Sequence, residues 1–107
     1  FVCVVEGSLD ALWLFQHNIP VVALLGSYVS AEKVRLLKKL IRCSELVAGL
    51  DNDKAGKKGN NRLIEKLKNY FVMSEIELPK DKKDVQELST ELLLDTIKRR
   101  RNIIGVK

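Results

Sequence analysis

Two aspartates separated by one residue stand in the stretch GLDNDKAGKKG, residues 49–59, directly after an apolar run. In an extended segment, residues i and i+2 point the same way, so the carboxylates of Asp51 and Asp53 can face one point. Carboxylates held this close repel and raise each other's pKa unless a cation compensates. Because no histidine or thiolate accompanies them, Mg²⁺ or Mn²⁺ suits this oxygen pair better than zinc. The spacing therefore predicts a divalent-metal site.

A second acidic stretch, VVEGSLDAL near the N-terminus, supplies a candidate proton-transfer group. Glu6 ends an apolar run, and Gly7 lets the backbone turn sharply and a substrate approach closely. A carboxylate there could take a proton from an attacking hydroxyl or return one to a leaving oxygen. Asp10 falls in the first turn of the next predicted helix, where it is either a metal ligand or a charge that the helix dipole favours.

A further acid, Asp84, lies in the polar stretch PKDKKDVQEL, between the fourth predicted strand and the last helix. It is placed on the same edge of the predicted sheet as the other acids. Asp84 is therefore either a contributor to the metal site or the cap of the last helix.

Basic residues follow the aspartate pair at once, and they could hold the phosphates of an incoming chain. Backbone N–H groups at the start of the predicted helix would add donors for the same anions. The alternative is an ordinary solvated helix face. The candidates are Lys54, Lys57, Lys58 and Arg62.

The elements that must position these residues follow from the hydrophobic pattern. Apolar, mostly β-branched runs predict strands buried on both faces, and apolar residues at helical spacing predict helices between them. The fourth strand alternates, which predicts an edge strand exposed on one face. The strands are predicted at 1–7, 21–26, 45–51 and 72–79, with Ser8 and Ser30 capping the helices that follow the first two.

The order β-α-β-α-β-α-β-α predicts an α/β fold, a mostly parallel open sheet of about four strands with helices on both faces. In such sheets ligands bind beyond the carboxyl ends of the strands. Glu6 and the Asp51–Asp53 pair end the first and third predicted strands, and Asp84 follows the fourth. The topology therefore predicts that these scattered acids gather on one edge.

Composition sets the class of protein. The 107 residues suit one domain, residues 1–107, and 46% hydrophobic with 31% charged residues is unlike a disordered chain. A formal net charge of +5 permits a polyanionic partner without requiring one. Cys3 and Cys43 are interpreted as small buried side chains of a cytoplasmic protein, and no apolar run predicts a membrane span. Because the chain begins inside a predicted strand, we expect it to be a domain excised from a longer protein.

These stretches resemble the Toprim domain, which topoisomerases and bacterial-type DNA primases share. VVEGSLDAL is similar to the family's glutamate motif and LDNDKAGKKG to its Asp-x-Asp motif, and the resemblance extends over almost the whole chain. The forms EGxxDAL and DxDxAG are most similar to primases of bacteria, phages and plasmids. The resemblance implies a Rossmann-like Toprim fold.

The resemblance also implies roles for the acids. Glu6 matches the general acid/base, Asp51 and Asp53 match the metal-binding pair, and Asp84 and Asp10 match further acids beside the metals. With Mg²⁺ (or Mn²⁺), a primase of this kind aligns a nucleoside triphosphate and activates the 3′-hydroxyl of an RNA primer on a single-stranded DNA template. A replicative helicase is an implied partner, through regions outside this chain.

Two positions depart from the primase pattern, which often has a proline after the position of Asp84 and an acid after that. This chain has Val85 and Gln86 there. Three other functions stay open: a metal-dependent nuclease of the same superfamily, a non-catalytic metal or nucleic-acid binding module, and a phosphoacceptor receiver. The receiver would need an acidic pair at the end of the first strand, where this chain has only Glu6.

Overall fold

The predicted alternation of strands and helices is confirmed in a computed structural model, which describes residues 1–103. Apolar strands and amphipathic helices account for nearly all of the regular structure. The strands are β1 (Val2–Val5), β2 (Val21–Ala23), β3 (Glu45–Gly49), β4 (Val72–Glu75) and β5 (Arg101–Asn102). The helices are α1 (Ser8–Gln16), α2 (Ala31–Leu40), α3 (Lys54–Leu67) and α4 (Thr90–Lys98), with a short 3₁₀ helix at Val85–Glu87.

The strands form one sheet in the order β2-β1-β3-β4-β5. β1 to β4 are parallel, as predicted, and β5 is antiparallel to β4. In this register Val5 of β1 lies beside Gly49 of β3. Glu6 and the turn that begins with Leu50 therefore leave the sheet at the same level of its carboxyl edge.

Helices cover both faces of the sheet, as predicted. α2 and α3 pack on one face, where Leu37, Leu63 and Leu67 meet Leu46 and other inward side chains of the strands. α1 and α4 pack on the opposite face through a second cluster that includes Leu14, Leu93 and Val47. The central strands are buried from both sides, which explains why they are continuous apolar runs.

The prediction that the fourth strand is an edge strand is wrong, because β5 pairs with its outer side. Arg101 of β5 forms an ion pair with Glu75 of β4 at 2.6 Å. On the other side of β4, Ser74 is buried and its hydroxyl donates to Glu45 of β3 at 2.5 Å. The alternating pattern of β4 thus reflects polar pairing across strands rather than exposure of one face.

The start of α1 also differs from expectation. Gly7, not Ser8, is the N-cap residue, and its N–H donates to the carboxylate of Asp10 at 3.1 Å. Ser30 caps α2 as predicted, accepting from the N–H of Lys33, whereas α4 is capped by Ser89, which accepts from the N–H of Leu92.

Within residues 1–103, no helix has both the length and the apolar character that crossing a bilayer requires.

Candidate metal centre

Three carboxylates meet beyond the carboxyl edge of the sheet. One oxygen from each of Asp10, Asp51 and Asp84 lies within 4.8 Å of the others. Asp10 comes from the first turn of α1, Asp51 from the turn after β3, and Asp84 from the N-cap of the 3₁₀ helix. Three segments far apart in the sequence are therefore brought to one point; the topology predicts this for Asp51 and Asp84, and Asp10 joins them from α1.

Two of these acids hold buried oxygens that lack a hydrogen-bond partner. Oδ1 of Asp10 and Oδ1 of Asp51 are both inaccessible to solvent, and neither has a partner within the described part of the chain. Asp10 as a whole is 6% exposed. Native structures leave very few buried polar atoms unsatisfied, so two beside each other need an explanation. A cation between them would supply one.

The electrostatics of the cluster point the same way. Burial raises the pKa of Asp51 to about 6, and the charges of Glu6, Asp10, Asp84 and Asp53 add to the rise. Burial, followed by the charge of Asp84, also raises the pKa of Asp10, although backbone N–H groups oppose the shift. Without a cation, these acids are held in an arrangement that disfavours their charged forms.

Glu6 stands beside the three-acid cluster rather than within it. Its Oε1 accepts the N–H of Asp51 at 3.2 Å, which ties the end of β1 to the turn after β3. The charge of Glu6 raises the pKa of both Asp51 and Asp10, so the glutamate is close to both. One carboxylate oxygen is thus oriented by the backbone at the rim of the cluster.

Asp53 has a different local role. β3 ends at Gly49, so the strand rule that aligns residues i and i+2 does not extend to Asp51 and Asp53. Asp53 is instead the N-cap residue of α3, where its Oδ1 accepts the N–H of Gly56 at 2.7 Å. It is exposed and is not one of the three converging acids.

Asp84 caps a helix, but not the last helix that the sequence predicts. Its Oδ1 accepts the N–H of Glu87 at 3.2 Å, which caps the 3₁₀ helix rather than α4. The same carboxylate belongs to the three-acid cluster. The side chain is partly exposed, so capping leaves it reachable from solvent.

Asn52, which sequence reasoning missed, fixes the segment that carries Asp84. Its backbone N–H donates to the carbonyl of Lys83 at 2.6 Å. Its side-chain Nδ2 donates to the carbonyls of Lys82 at 3.1 Å and Pro79 at 3.3 Å. The residue between the two aspartates therefore holds the third acid of the cluster in place.

Asn60 was also missed, and it fixes the turn from inside. This side chain is buried, and its Oδ1 accepts the N–H of Leu50 at 3.0 Å. The signal was present in the sequence, because position 60 falls on the inward stripe of α3 with Leu63 and Leu67. A polar residue on such a stripe indicates a buried backbone group that needs a partner.

Two glycines let α3 pack closely against the backbone of neighbouring segments, one of which is the acidic turn. A Cβ atom at Gly56 would lie 1.9 Å from the carbonyl oxygen of Asp51. At Gly59 it would lie 2.6 Å from that of Ser27. By contrast, the chain bends at Gly7 between β1 and α1, as predicted, but with an ordinary extended backbone (φ −117°) that any residue can adopt. In this motif, glycine is needed for close approach of the helix.

The predicted phosphate-binding residues divide between two sides of α3. Lys57 lines a cleft of about 390 Å³ beside Asp51 and the end of β4. Lys58 and Arg62 line another, of about 430 Å³, with Tyr28. Nε of Arg62 also donates to the carbonyl of Val29 at 2.5 Å. The fourth candidate, Lys54, is exposed at the start of the helix.

The donor set fits a hard divalent cation. It consists of carboxylate oxygens from three segments, includes two buried unpartnered atoms and has an open side toward solvent. Mg²⁺ is held in proteins by a few carboxylates and keeps other positions for water and substrate phosphate. Asp10, Asp51 and Asp84 would hold such an ion here.

Comparison with known proteins identifies the family. No match was found among curated proteins. The profile of the family described as Toprim-like matches residues 3–89, a span that contains every acid of the cluster, Glu6 and Asp53. Toprim domains bind divalent metals and occur in enzymes that act on nucleic acids. By this match over most of its length, and with its fold and acidic centre in agreement, the chain belongs to the Toprim-like family.

Proposed function

We propose that this Toprim domain is the catalytic domain of a DNA primase, which synthesises an RNA primer on a DNA template by metal-dependent nucleotidyl transfer. The observation that carries the metal dependence is the meeting of Asp10, Asp51 and Asp84, with two buried oxygens unpartnered. The motif forms EGxxDAL and DxDxAG favour a primase over other Toprim enzymes. Single-stranded DNA template, nucleoside triphosphates and RNA primer are the proposed ligands, and a replicative helicase is a proposed partner of the full-length protein.

The three converging aspartates would hold Mg²⁺ (or Mn²⁺), and Asp53 would join them through the oxygen that does not cap α3. When bound, a divalent ion at such a site neutralises phosphate charge and orients the reacting oxygens. Asn52 and Asn60 keep the acids at the required spacing through their backbone hydrogen bonds. The protein thus contributes a preorganised acidic cradle.

Glu6 is the proposed general acid/base. Its Oε1 is fixed by the N–H of Asp51, while the other oxygen takes no part in that bond. A carboxylate oriented in this way at the rim of the metal centre can accept the proton of an attacking 3′-hydroxyl. Lys54, Lys57, Lys58 and Arg62 would bind phosphates of the nucleotides on either side of the start of α3.

The test is primer synthesis by the full-length protein with single-stranded template, nucleoside triphosphates and Mg²⁺. We expect Glu6→Gln to abolish synthesis and to leave Mn²⁺ affinity nearly unchanged, because Glu6 lies outside the three-acid cluster. Asp51→Asn should weaken Mn²⁺ binding itself. A protein that cuts nucleic acid and makes no primer would replace this proposal with the nuclease. Full activity of Glu6→Gln would overturn the acid/base assignment.

A further inference from the structure

The two helical faces of the sheet differ strongly in charge. α2 contains four basic residues and one acidic residue, and α3 contains five basic residues and one acidic residue. On the opposite face, α1 has one acidic and no basic residue, and α4 has two acidic residues and one basic residue. The excess positive charge of the chain is therefore concentrated on the surface formed by α2 and α3, hereafter the α2–α3 face.

Two exposed tyrosines belong to this face, and each has a cation over its ring. Tyr28 is 69% exposed, with the Arg62 guanidinium 5.6 Å from its ring centroid. Tyr70 is 62% exposed, with the Nζ of Lys38 4.1 Å from its centroid. Neither ring contributes to a core cluster of the sheet. Exposed aromatic rings beside basic side chains are surfaces on which unpaired bases can stack.

The tyrosines lie at opposite ends of the α2–α3 face. Tyr28 precedes α2 and contacts Arg62 of α3 in the cleft that Lys58 also lines. Tyr70 follows α3 and contacts Lys38 near the end of α2. α2, which runs from the first of these contacts toward the second, has 10 residues and is therefore about 15 Å long. The rings are thus separated along a positively charged surface that begins beside the acidic turn.

We propose that the α2–α3 face binds single-stranded nucleic acid, with bases stacked on Tyr28 and Tyr70 and phosphates on the lysines and arginines between them. A positive surface with exposed aromatic rings is the arrangement by which proteins bind single strands without regard to sequence. The proposal rests on the proposed function, since it supplies the strand on which the metal centre acts. Stacking needs unpaired bases, so double-stranded DNA should be bound only through contacts between its phosphates and the basic side chains.

The experiment measures binding of a fluorescent oligo(dT) to the full chain by anisotropy, in EDTA. We expect Tyr28→Ala and Tyr70→Ala each to weaken binding about 5- to 150-fold, the range for removal of one base–aromatic stack. Tyr28→Phe keeps the ring and should bind like wild type. Lys39→Ala, at an exposed position of α2, should reduce the slope of log affinity against log salt by about 0.7 for each phosphate that the protein no longer neutralises.

Matched controls come from the opposite face. Phe15 of α1 is 70% exposed and Lys98 of α4 is exposed. Phe15→Ala therefore removes an exposed aromatic ring from the opposite face, and Lys98→Ala removes an exposed positive charge from it. Both should bind oligo(dT) like wild type. Circular dichroism and thermal melting would verify that every variant is folded, as expected for side chains outside the core.

Several results would overturn the proposal: no binding at low salt, equal weakening in the opposite-face controls, or tyrosine variants that bind like wild type. Equal affinity for duplex DNA or for a poly-glutamate peptide would also overturn it, because either result would mean that charge alone is recognised. Since binding is measured without metal, Asp51→Asn should behave as wild type. Failure of the metal centre would leave oligo(dT) binding intact, and failure of this face would leave Mn²⁺ binding intact.

Discussion

Replacing Asp51 with asparagine should stabilise the metal-free protein. Burial and four neighbouring acids raise the pKa of Asp51 from 3.8 to about 6 in the folded chain. The folded state therefore binds the proton more tightly than the unfolded state, and the free energy of unfolding falls as pH rises through this window. At 1.36 kcal/mol per pKa unit the full shift corresponds to about 3 kcal/mol. Because Asp51 is partly exposed and screened by solvent, we expect about 1–2 kcal/mol.

The measurement is urea denaturation in EDTA across the pH range that contains both pKa values. Wild type should lose stability between about pH 4 and pH 6 and stay lower above it, while Asp51→Asn should show a flatter profile. Asp81→Asn is the matched control, since Asp81 is an exposed aspartate of the loop before Asp84 and should change stability by less than about 0.5 kcal/mol.

Adding Mg²⁺ should make wild type more stable than Asp51→Asn, the reverse of their order in EDTA. A ligand that binds only the folded state stabilises it by RT ln(1 + [L]/Kd), about 2.7 kcal/mol at one hundred times Kd. Wild type should gain this and Asp51→Asn should gain little, because one of its three converging carboxylates is gone. A variant that is no more stable than wild type in EDTA above pH 6, or that gains equally from Mg²⁺, would refute the reasoning.

Three further predictions concern the residues that support the site and the fold. Asn52→Ala should weaken Mn²⁺ binding about 10- to 100-fold, measured by calorimetry, because it releases the loop that carries the third acid. Gly56→Ala should destabilise the protein by about 3 kcal/mol or more in urea, since its Cβ would meet backbone at 1.9 Å, whereas Gly7→Ala, with 3.4 Å of room, should cost less than about 1 kcal/mol. Glu45→Gln should lower stability by about 1–3 kcal/mol above pH 4.5. An arginine partner lowers the pKa of Glu45, so that difference should vanish as pH falls through the lowered value; a difference that persists in strong acid would contradict the assignment.

The sequence contains enough to predict where the acids gather. Continuous apolar runs indicate parallel strands buried on both faces, and the carboxyl ends of parallel strands share one edge. The shared edge thus brings Asp51 and Asp84 together although they lie 33 positions apart, and the structure agrees. No side-chain detail is needed for this, because strand order alone sets which chain ends are neighbours.

What the sequence does not predict depends on contacts between distant residues. β5 is two residues long and basic, and nothing local marks it as a strand. Across the sheet, Arg100 forms hydrogen bonds to Glu45 at 2.7 and 3.0 Å. These partners lie 55 positions apart, and Arg100 directly precedes β5. The contacts that hold β5 beside β4 are therefore made only in the folded sheet, so no local sequence pattern predicts the strand. The cap formed by Asp53 escaped prediction for a related reason, since it depends on where β3 ends.

The supporting residues explain how the fold tolerates its acidic centre. A cluster that raises the pKa of its own members opposes folding in the absence of metal, so other interactions must hold the acids together. Here the opposing interactions are the hydrogen bond that the Asn52 side chain donates to a backbone carbonyl, the one that the Asn60 side chain accepts from the N–H of Leu50, and the close packing at Gly56. None of them requires a metal ion. These contacts therefore hold the acids together without the help of a cation, and a divalent ion would add to the stability of the site. In the metal-free protein, Asn60→Ala should accordingly destabilise the fold while Asp51→Asn stabilises it, opposite effects from two side chains at the same turn.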